Sequence, residues 1–560
     1  MIKNLLIVAL LVLATAVGAQ TTVPVTKWGK ALTTNKGTTQ GGDLAVAADG
    51  GVYTVAGAGT YSTDEKVKFG DTEVALGTLY TGTSTSGNQV FVLSKLSKDG
   101  AVEWTAYSKN GEVISNQLML ASVSDGVIVF FGIRHVDGHS NEDISIVDGK
   151  NVEHALNWTF ESANAKRHYD GIVAKFANDG ALTWMKRIYV NHDPMPAATT
   201  YKDNTGQGIY PYAIATDNEG NIYLGGNQRT AFTIGNTTIE ANEVEGWDGD
   251  PQKNVGGFFI IKLDKDGNYL ANVKTDGKAA HERILNMRFV NNQLYFVGVM
   301  IGDGKGTSVS LGGKSTATLT NTYSSLMLGS VNKDLTANWF KFCPSTLSGS
   351  AINIANLLVN GDNLWITSKA KFTIADNNQT VEATKTRDGV LLKADARNGN
   401  LLASKIYGTN QAGYFDAVVG DNDSLYVAGH TLSGPLFIES YDPNDISLAK
   451  NKINLATSSS DVKAIKMNND GLMYIMFRSR GNTGFYGSDM TVSPAKYSMV
   501  VSAYQMPFKG IATGISTISV KPSKAASSHV YSISGQYVGE SLNNLPAGLY
   551  IQGGRKVVVK

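Results

Sequence analysis

The sequence predicts an all-β protein whose body is a β-propeller of about seven blades, and three observations lead to this prediction. The composition, with 60 Gly and 24 Tyr, is typical of strands joined by tight turns. A strand that resembles the end of a repeat stands alone near the N-terminus. A two-hairpin unit recurs along the chain, and a repeat of this period is typical of propellers. The units start near residues 42, 117, 211, 283, 352, 414 and 461.

Each unit contains two hairpins with different turn chemistry. The first has a short strand of alternating polarity, an Asp/Asn-Gly turn and an apolar-aromatic strand, as in residues 49–53 and 218–224. The second has an apolar run, a lysine, a turn and a strand that often carries tryptophan, as in residues 90–104 and 172–184. Alternation of this kind predicts four strands per unit.

A third element recurs between the two hairpins of several units. It has a strand, a two-residue turn and a second strand, and we interpret it as a small decorating hairpin. Its presence explains why the units are longer than the 40–45 residues of the commonest propeller repeats. The examples are residues 69–74, 146–152, 234–239 and 374–381.

The isolated N-terminal strand predicts how the ring closes. Residues 25–32 contain Trp28 and resemble the strands around Trp104 and Trp184, whereas the last unit ends at Tyr504 without such a strand. A propeller avoids exposed sheet edges when one end of the chain completes the blade at the other end. We therefore expect residues 25–32 to complete the last blade.

The N-terminus predicts export. Lys3 precedes an apolar stretch over residues 5–17, and Val17 and Ala19 suit cleavage after Ala19 by signal peptidase. The apolar stretch is shorter than the ~20 residues of a membrane span, and no later run reaches that length. The predicted divisions are a signal peptide (1–19), a propeller (20–510) and a C-terminal sorting domain (511–560).

The net charge limits the classes of expected partner, and the cysteine content limits the possible disulfides. The formal net charge is +1, and removal of Lys3 with the leader brings it to zero. Nucleic acid and anionic membrane surfaces are therefore not expected partners, because both need clustered cations. The single cysteine, Cys343, excludes a disulfide within the chain and lies in an apolar run. We interpret it as a buried structural thiol.

The repeat phrases resemble those of the secreted β-propeller repeat family over residues 25–508. The similarity is best in the third unit, between Ala213 and Gly267, and weaker in the fourth, where Ser330 replaces the lysine. This resemblance implies the fold and no particular activity.

The last fifty residues resemble the C-terminal sorting domain of type IX secretion. That resemblance implies a small β-sandwich, transit through the periplasm, recognition by the type IX translocon, and a secreted or cell-surface destination. The family's opening Pro-Asn-Pro is missing, with only Pro522 nearby. Cleavage and surface attachment both remain open. The residues that carry the resemblance are Gly535, Leu545, Pro546, Gly548, Tyr550, Lys556 and Lys560.

Several patterns resemble catalytic or metal sites, and we interpret each as structural. Asp217 and Asp264 begin Asp/Asn-rich turns like calcium loops, but the closing Glu is not at the right distance. His135, His139 and His154 lie in a glycine-containing loop rather than at metal-ligand spacing. No cofactor or metal is predicted. The recurrent lysines (95, 175, 262, 393) and tryptophans (28, 104, 184, 339) occupy fixed repeat positions, which favours packing roles.

Three functional hypotheses remain open from the sequence. The first is a non-catalytic propeller that binds an extracellular protein or glycan. The second is a carbohydrate-active enzyme, a glycoside hydrolase or lyase, and the third is a structural component of a cell-surface assembly. The enzyme hypothesis requires two acidic residues, or a base and a charge neutraliser, at one mouth of the channel.

The long insertions of the second and third units, residues 134–169, 191–210 and 229–256, supply the candidate binding residues. Aromatic side chains beside carboxylates suit stacking on sugars or docking on a protein. The alternative is that these rings only pack their own loops against the propeller. The candidates are Trp158, Tyr169, Tyr201, Tyr210, Trp247 and Asp248.

Overall fold

The computed structural model describes most of the propeller body and part of the C-terminal region. Within the described ranges no helix has the length and apolar character needed to cross a membrane. The described residues are 24–34, 37–60, 66–75, 88–114, 117–135, 143–156, 169–190, 209–228, 231–240, 257–276, 281–302, 306–319, 323–407, 417–419, 425–430, 434–459, 461–506, 530–532, 537–539, 541, 545–546, 548–552 and 555–559.

The secondary structure is almost entirely β-strand, as predicted. The first strands are β1 (Val25–Thr34), β2 (Thr39–Val46), β3 (Val52–Thr60), β4 (Lys66–Phe69), β5 (Thr72–Ala75), β6 (Asn88–Leu96), β7 (Val102–Lys109), β8 (Gly111–Val113), β9 (Met119–Val123), β10 (Gly126–His135), β11 (Ser145–Val147), β12 (Glu153–Ala155), β13 (Asp170–Ala177) and β14 (Leu182–Val190). Next are β15 (Ile209–Thr216), β16 (Ile222–Gln228), β17 (Phe232–Ile234), β18 (Thr237–Ile239), β19 (Gly257–Leu263), β20 (Tyr269–Asp276), β21 (His281–Val290), β22 (Gln293–Ile301), β23 (Thr307–Leu311), β24 (Lys314–Leu319), β25 (Ser324–Asn332) and β26 (Ala337–Cys343). The remainder are β27 (Ala351–Asn360), β28 (Asn363–Asp376), β29 (Gln379–Asp395), β30 (Leu401–Tyr407), β31 (Ala417–Val419), β32 (Leu425–His430), β33 (Leu436–Tyr441), β34 (Asn451–Ala456), β35 (Asp461–Met467), β36 (Leu472–Ser479), β37 (Thr483–Gly484), β38 (Thr491–Val492), β39 (Ser498–Gln505), β40 (Val530–Ser532), β41 (Tyr537–Gly539), β42 (Gly548–Gln552) and β43 (Arg555–Val559).

Six blades are each built on four antiparallel strands from one stretch of chain. From the inner strand outward they are blade 1 (β2, β3, β6, β7), blade 2 (β9, β10, β13, β14), blade 3 (β15, β16, β19, β20), blade 4 (β21, β22, β25, β26), blade 5 (β27 to β30) and blade 6 (β31 to β34).

Between blade 6 and blade 1 lies a closing sheet made from both ends of the body. It consists of β35, β36 and β39 from the last repeat and β1 from the N-terminus, and Val25 to Leu32 pair with Gln505 to Met499. Closure by the N-terminal strand is therefore confirmed. The predicted count of seven blades is corrected to six blades plus this closing sheet, because the last repeat supplies only three of the strands.

The inner strands surround a central channel. Each inner strand contacts the inner strands of the two neighbouring sheets, in the order β2, β9, β15, β21, β27, β31, β35 and back to β2. Because sheets pack on both sides of each blade, the middle strands are buried on both faces and are mostly apolar. Strand β19, with the sequence GFFIIKL, is an example in which six of seven residues are buried.

The decorating hairpins predicted at residues 69–74, 146–152 and 234–239 are confirmed, but they extend the sheet of the preceding blade, whereas residues 374–381 form the tip of the β28–β29 hairpin within blade 5. Hairpin β4–β5 pairs with β1 of the closing sheet, and β11–β12 pairs with β7 of blade 1. Hairpin β17–β18 pairs with β14 of blade 2, and β23–β24 pairs with β20 of blade 3. Each of these four sheets is thus completed by the repeat that follows it in the ring. Covering the outer strand in this way leaves fewer unpaired edges.

The tryptophan series forms a repeated contact between neighbouring sheets, the Trp–turn contact. In each case the indole Nε1–H donates to a carbonyl in the outer turn of the next blade: Trp28 to Lys98 (2.7 Å), Trp104 to Asn178 (2.9 Å), Trp184 to Lys265 (3.2 Å) and Trp339 to Ala396 (3.0 Å). Trp28 and Trp104 are buried, whereas Trp184 and Trp339 are half-buried. The predicted packing role is confirmed for all four.

The ring of each tryptophan lies on a glycine of that same turn. Gly100 has a φ of 80°, and a Cβ atom there would approach the Trp28 ring to 2.7 Å. Only glycine satisfies both the left-handed backbone and the close approach. This requirement explains the Asp/Asn-Gly pattern of the outer turns.

Blades 3 and 4 meet through a different pair of residues. Ala271 pairs with Lys262 in blade 3, at the position where Trp104 pairs with Lys95 in blade 1. In the facing turn of blade 4 the glycine position is occupied by Leu335, which has a φ of 68° and is buried against Ala271. A leucine in the left-handed region is rare. Its side chain fills the space that a tryptophan occupies elsewhere.

The propeller has two unlike faces. The turn face carries the short connections between inner and second strands and between third and outer strands. The loop face is the opposite end of the strands, where the other connections begin and end, including the three insertions predicted as binding loops. Hydrogen bonds from Tyr474 and Asn468 of the closing sheet to the Gly50 carbonyl join neighbouring turns on the turn face.

Residues 517–560 form a separate compact unit. Its described residues contain one four-stranded antiparallel sheet in the order β41, β40, β42, β43. The predicted β-sandwich is not confirmed: the described residues of this unit form a single small sheet. The predicted boundary at residue 511 lies outside the described residues.

Candidate functional site

Most of the inner strands share an irregularity in their pairing with the second strand. Five of them contain a β-bulge in the first half of the strand, where it pairs with the second strand of the blade. These strands are β2, β15, β21, β27 and β35. A bulge adds one residue and redirects neighbouring side chains, and bulges are frequent beside functional sites. Tyr212 and Lys463 are the extra residues in β15 and β35.

A small polar cavity lies in the channel among these strands. Its volume is about 40 Å³, enough for a few water molecules and too small for a sugar ring. Its charged residues come from three different sheets. The lining residues are Asp43, Met119, Leu120, Tyr212, Ala213, Ile214, Asn286, Arg288, Asn356, Lys463 and Lys466.

Asp43 is the carboxylate of this cavity, and the fold already uses it. Its Oδ1 accepts a hydrogen bond from the backbone N–H of Leu44 (2.8 Å), and its Oδ2 accepts one from Leu120 (3.0 Å) in blade 2. Burial raises the pKa of the Asp43 carboxyl above its usual value, and the charges of Lys466 and Arg288 oppose that rise. Asp43 thus joins blades 1 and 2 and supplies negative charge to the channel.

The cations of the cavity are held in different ways. Arg288 donates to the side-chain oxygen of Asn286 (2.7 Å) and to the Met287 carbonyl (2.9 Å). Lys463 pairs with Asp461 on its own strand. Lys466 is only 9% exposed, and a buried ammonium group requires opposite charge or hydrogen bonds.

More arginines lie toward the loop-face ends of the same strands and their partners. Arg283 lies over the Tyr212 ring at 5.8 Å. In the closing sheet, Arg478 and Arg480 lie 4.4 and 5.6 Å from the ring centre of Tyr497, which is 39% exposed. Such cation–π contacts hold the guanidinium planes in place near the surface.

Two of the predicted binding residues come together on the loop face of blades 2 and 3. The rings of Tyr169 and Tyr210 are 6.5 Å apart, and the Arg134 guanidinium lies 5.0 Å from the centre of the Tyr169 ring. Arg134 also pairs with Glu112 at 2.8 Å. Burial raises the pKa of Tyr169, so the phenol stays protonated at physiological pH. We call these four residues the tyrosine-pair surface.

The other predicted binding residues, Trp158, Tyr201, Trp247 and Asp248, lie outside the described residues. The same holds for His139 and for the signal-peptide site at Ala19. Of the segments that contain these binding residues, residues 157–168 connect β12 to Tyr169, residues 191–208 connect β14 to β15, and residues 241–256 connect β18 to β19.

The patterns interpreted as structural have structural partners. Asp217 Oδ1 accepts from the backbone N–H groups of Glu219 and Asn221, and Asp264 Oδ1 does the same for Asp266 and Asn268. These are turn-stabilising bonds. Within the described part of the chain, no group of three or more His, Cys, Asp or Glu residues is placed to hold a metal ion.

The recurrent lysines and Cys343 also have the structural roles that the sequence predicted. Lys95 pairs with Asp49 (2.6 Å), and Lys175 pairs with Asp125 (2.8 Å). Lys262 and Lys393 instead donate to backbone carbonyls of the next blade. Burial raises the pKa of the Cys343 thiol to about 12, which makes it unreactive.

In the C-terminal unit, the predicted sorting residues that the structure describes lie in or beside β42 and β43. The Tyr550 hydroxyl donates to the Pro546 carbonyl (2.9 Å), which joins the Leu-Pro-Ala-Gly phrase to β42. Gly548 and Lys556 pair with Val559 and Ile551. Leu545 precedes Pro546 in the same phrase, and Gly535 and Lys560 lie outside the described residues.

The charged channel was missed from the sequence, although alignment of the repeats contains a signal. The residue opposite the recurrent aromatic of the second strand is Ala45 in blade 1 and Ala215 in blade 3. At the same position blade 4 has Arg288, and the closing sheet has Lys466. A cation where other repeats have alanine could have been recognised as a functional substitution.

No protein-family model matches the chain, and no curated protein matches it. Solved structures share only distant likeness with it. One, a protein of unknown function from Dyadobacter fermentans, has a TM-score of 0.37 and 10% identity, and the match covers 72% of this chain and 99% of that one. The quinohemoprotein alcohol dehydrogenase from Comamonas testosteroni has a TM-score of 0.37 and 11% identity, with 75% and 72% covered. The polysaccharide lyase Uly1 has a TM-score of 0.38 and 8% identity, with 83% and 90% covered. Likeness at this level carries no argument about function.

Proposed function

We propose that this protein is an exported, non-catalytic propeller that binds an extracellular glycan or protein through its loop face. The observation that carries the proposal is the tyrosine-pair surface, where two aromatic rings and an Arg–Glu pair lie on rigid strands at the base of long connections. Rigid scaffolds commonly present binding loops in this way. Tyrosine combines a large apolar ring with a polar tip, which suits recognition of sugars and proteins alike.

The channel supports binding rather than catalysis. Its carboxylate, Asp43, already accepts backbone hydrogen bonds on both oxygens, from Leu44 and from Leu120, and so is engaged in joining blades 1 and 2. The cavity is also too small for a sugar ring. A glycan or partner protein would therefore meet the loop face without entering the channel.

The binding proposal is tested with two paired variants. Tyr169→Ala with Tyr210→Ala removes the described rings, and Trp158→Ala with Trp247→Ala removes those of the insertions. Each pair should keep the propeller folded and lose retention on a panel of immobilised extracellular glycans and surface proteins. Tyr269→Ala is the matched control, because Tyr269 is half-buried on the turn face. Retention unchanged in both pairs, or cleavage of a glycan by the wild type, contradicts the proposal.

We propose further that residues 1–19 direct export and residues 511–560 direct type IX secretion to the cell exterior. The proposal is supported by the apolar leader and by the sorting residues, of which Tyr550 and Pro546 are joined by a hydrogen bond. Removal of residues 511–560 should leave a folded propeller in the periplasm. Equal surface exposure of full-length and shortened protein, measured by protease accessibility on intact cells, rejects the assignment.

A further inference from the structure

A lysine, a side-chain amide and a carboxylate meet at the junction of blades 4 and 5. Lys341 belongs to β26, the outer strand of blade 4. Its Nζ donates a hydrogen bond to Oδ1 of Asn400, which lies in the outer turn of blade 5. The same Nζ is 2.7 Å from Oδ1 of Asp376, at the tip of the β28–β29 hairpin. One amine therefore touches both an amide and an acid that come from separate segments of the chain.

The surrounding structure holds these three groups in place. Oδ2 of Asp376 accepts a hydrogen bond from the backbone N–H of Leu401 (2.8 Å), the residue that follows Asn400. Asn400 itself follows Gly399, on which the Trp339 ring lies. The side chains of Lys341 and Asp376 are only 20% and 15% exposed. The group is thus fixed from two sides and largely shielded from water.

The arrangement has the parts needed to exchange the amide nitrogen of Asn400. Because Nζ of Lys341 contacts Oδ1, the carbonyl carbon Cγ is one bond further away. Holding two reacting groups at contact distance removes much of the barrier to their reaction. A lysine amine attacks a carbonyl carbon as the neutral form. The Asp376 carboxylate is placed to take a proton from Nζ and to return it to the leaving nitrogen.

We propose that Lys341 and Asn400 form an isopeptide bond, with Asp376 as the acid–base residue. The bond from Nζ to Cγ forms, and the bond from Cγ to Nδ2 breaks. The two protons that the lysine ammonium loses end on the leaving nitrogen, so one ammonium ion is released. The reaction needs no oxidant, metal or second substrate. It is independent of the binding function proposed above.

Two other junctions of the ring contain only part of this group. At the junction of blades 1 and 2, Asp148 accepts the corresponding backbone hydrogen bond, but Ala106 and Ala181 replace the lysine and the asparagine. At the junction of blades 2 and 3, Lys186 and Asn268 stand at the matching positions. The decorating hairpin there, β17–β18, contains no carboxylate in its strands or its turn. The repeat therefore does not require the three residues together.

The bond would join blades 4 and 5 covalently. The single cysteine, Cys343, excludes a disulfide within the chain, so this protein has no other common means of cross-linking itself. A covalent link between distant segments stabilises a protein mainly by restricting its unfolded chain.

The test is mass spectrometry of the purified full-length protein, intact and after trypsin digestion. Wild type should be lighter than its sequence by one ammonia, and trypsin should not cleave after Lys341. One branched peptide should contain both Lys341 and Asn400. A succinimide at the neighbouring Asn398–Gly399 pair would lose the same ammonia, so the branched peptide is the decisive observation.

Three variants separate the roles of the residues. Lys341→Arg keeps the positive charge and should lose the branched peptide completely. Asp376→Ala keeps both reacting groups and should form the bond about 100- to 10,000-fold more slowly, the range that general acid–base catalysis contributes. Lys186→Arg is the matched control at the neighbouring junction and should keep the branched peptide. Circular dichroism checks that each variant is folded.

Folded wild-type protein with an unmodified Lys341 overturns the proposal. So does a branched peptide that joins Lys341 to Asp376 with loss of water, because the acid would then be the reactant. Formation of the bond at the wild-type rate in Asp376→Ala overturns the role given to the carboxylate.

Discussion

The turn face and the loop face of this propeller are made from the same strands but follow different rules. On the turn face, one set of contacts recurs: an indole N–H donates to the next blade's turn, a glycine accommodates the ring, and a lysine binds a carboxylate or carbonyl. On the loop face the polar groups differ from blade to blade, as the tyrosine-pair surface and the arginines around Tyr497 illustrate. Repetition therefore indicates structural contacts here, and departures from repetition indicate candidate binding residues.

The strongest test of the turn-face rule is Trp28→Ala. Trp28 is 5% exposed, donates to the Lys98 carbonyl and belongs to the strand that closes the ring. Truncation of a buried tryptophan costs about 3–5 kcal/mol in the free energy of unfolding. Trp28→Phe keeps a ring and should cost less. Urea unfolding measures both, and an unchanged midpoint for Trp28→Ala would show that the contact does not hold the ring closed.

The loop face contains a group whose effect depends on pH. Glu282, at the start of β21, is 1% exposed, and burial raises its pKa to about 7. Its carboxyl contacts the Thr275 hydroxyl and lies 3.4 Å from the Phe258 backbone nitrogen. The folded protein holds the proton of Glu282 more tightly than the unfolded chain does. The resulting contribution to the free energy of unfolding is therefore fully present below about pH 4.5.

That contribution is lost as the pH rises through about 7, where the folded protein must carry a buried charge. A rise of this size in pKa corresponds to about 3 kcal/mol. The Glu282→Gln variant should therefore gain stability relative to wild type between pH 4.5 and pH 8, by calorimetry at matched salt. A constant difference between the two proteins over that range would mean that Glu282 titrates normally.

A double-mutant cycle sharpens the comparison at the junction of blades 3 and 4. Ala271→Trp alone should destabilise, because Leu335 occupies the space for the ring. Together with Leu335→Gly it should restore the Trp–turn contact of the other junctions. We expect a favourable coupling of about 1–3 kcal/mol, the range for residues in direct contact. Additive effects of the two substitutions would indicate that the turn has lost the geometry shared by its neighbours.

The smallest effect is expected at an exposed ion pair of the turn face. Lys98 and Asp470 are 2.8 Å apart, but their side chains are 47% and 63% exposed. Solvent and salt screen such pairs, so Lys98→Ala should leave the melting temperature unchanged within error. A clear loss of stability would mean that contacts between turns matter beyond the Trp–turn contact.

The sequence predicted most of the turn face and less of the loop face. Turn residues, glycines and tryptophans encode their structure locally, so the Asp/Asn-Gly turns and the role of β1 were visible in the repeat. The partner of each decorating hairpin was not visible, since pairing with the preceding blade depends on how the sheets adjoin in the ring. The channel charges were missed because Arg288 and Lys466 are about 180 residues apart and meet only when the ring closes. Of the predicted binding residues, Tyr169 and Tyr210 were brought together, and the others lie outside the described residues.

The pairing of each decorating hairpin with the preceding sheet bears on how such a chain changes length during evolution. Consider a duplicated segment that runs from one inner strand to the next. Its decorating hairpin can pair with the outer strand of the preceding sheet, and its own outer strand can pair with the decorating hairpin of the following repeat. Such an insertion creates no new type of junction on either side. A deletion that ends within a repeat would instead expose the outer strand of the sheet before it, and an exposed strand invites association with other chains. Whole-repeat gain or loss is therefore the tolerated route to a propeller of different size.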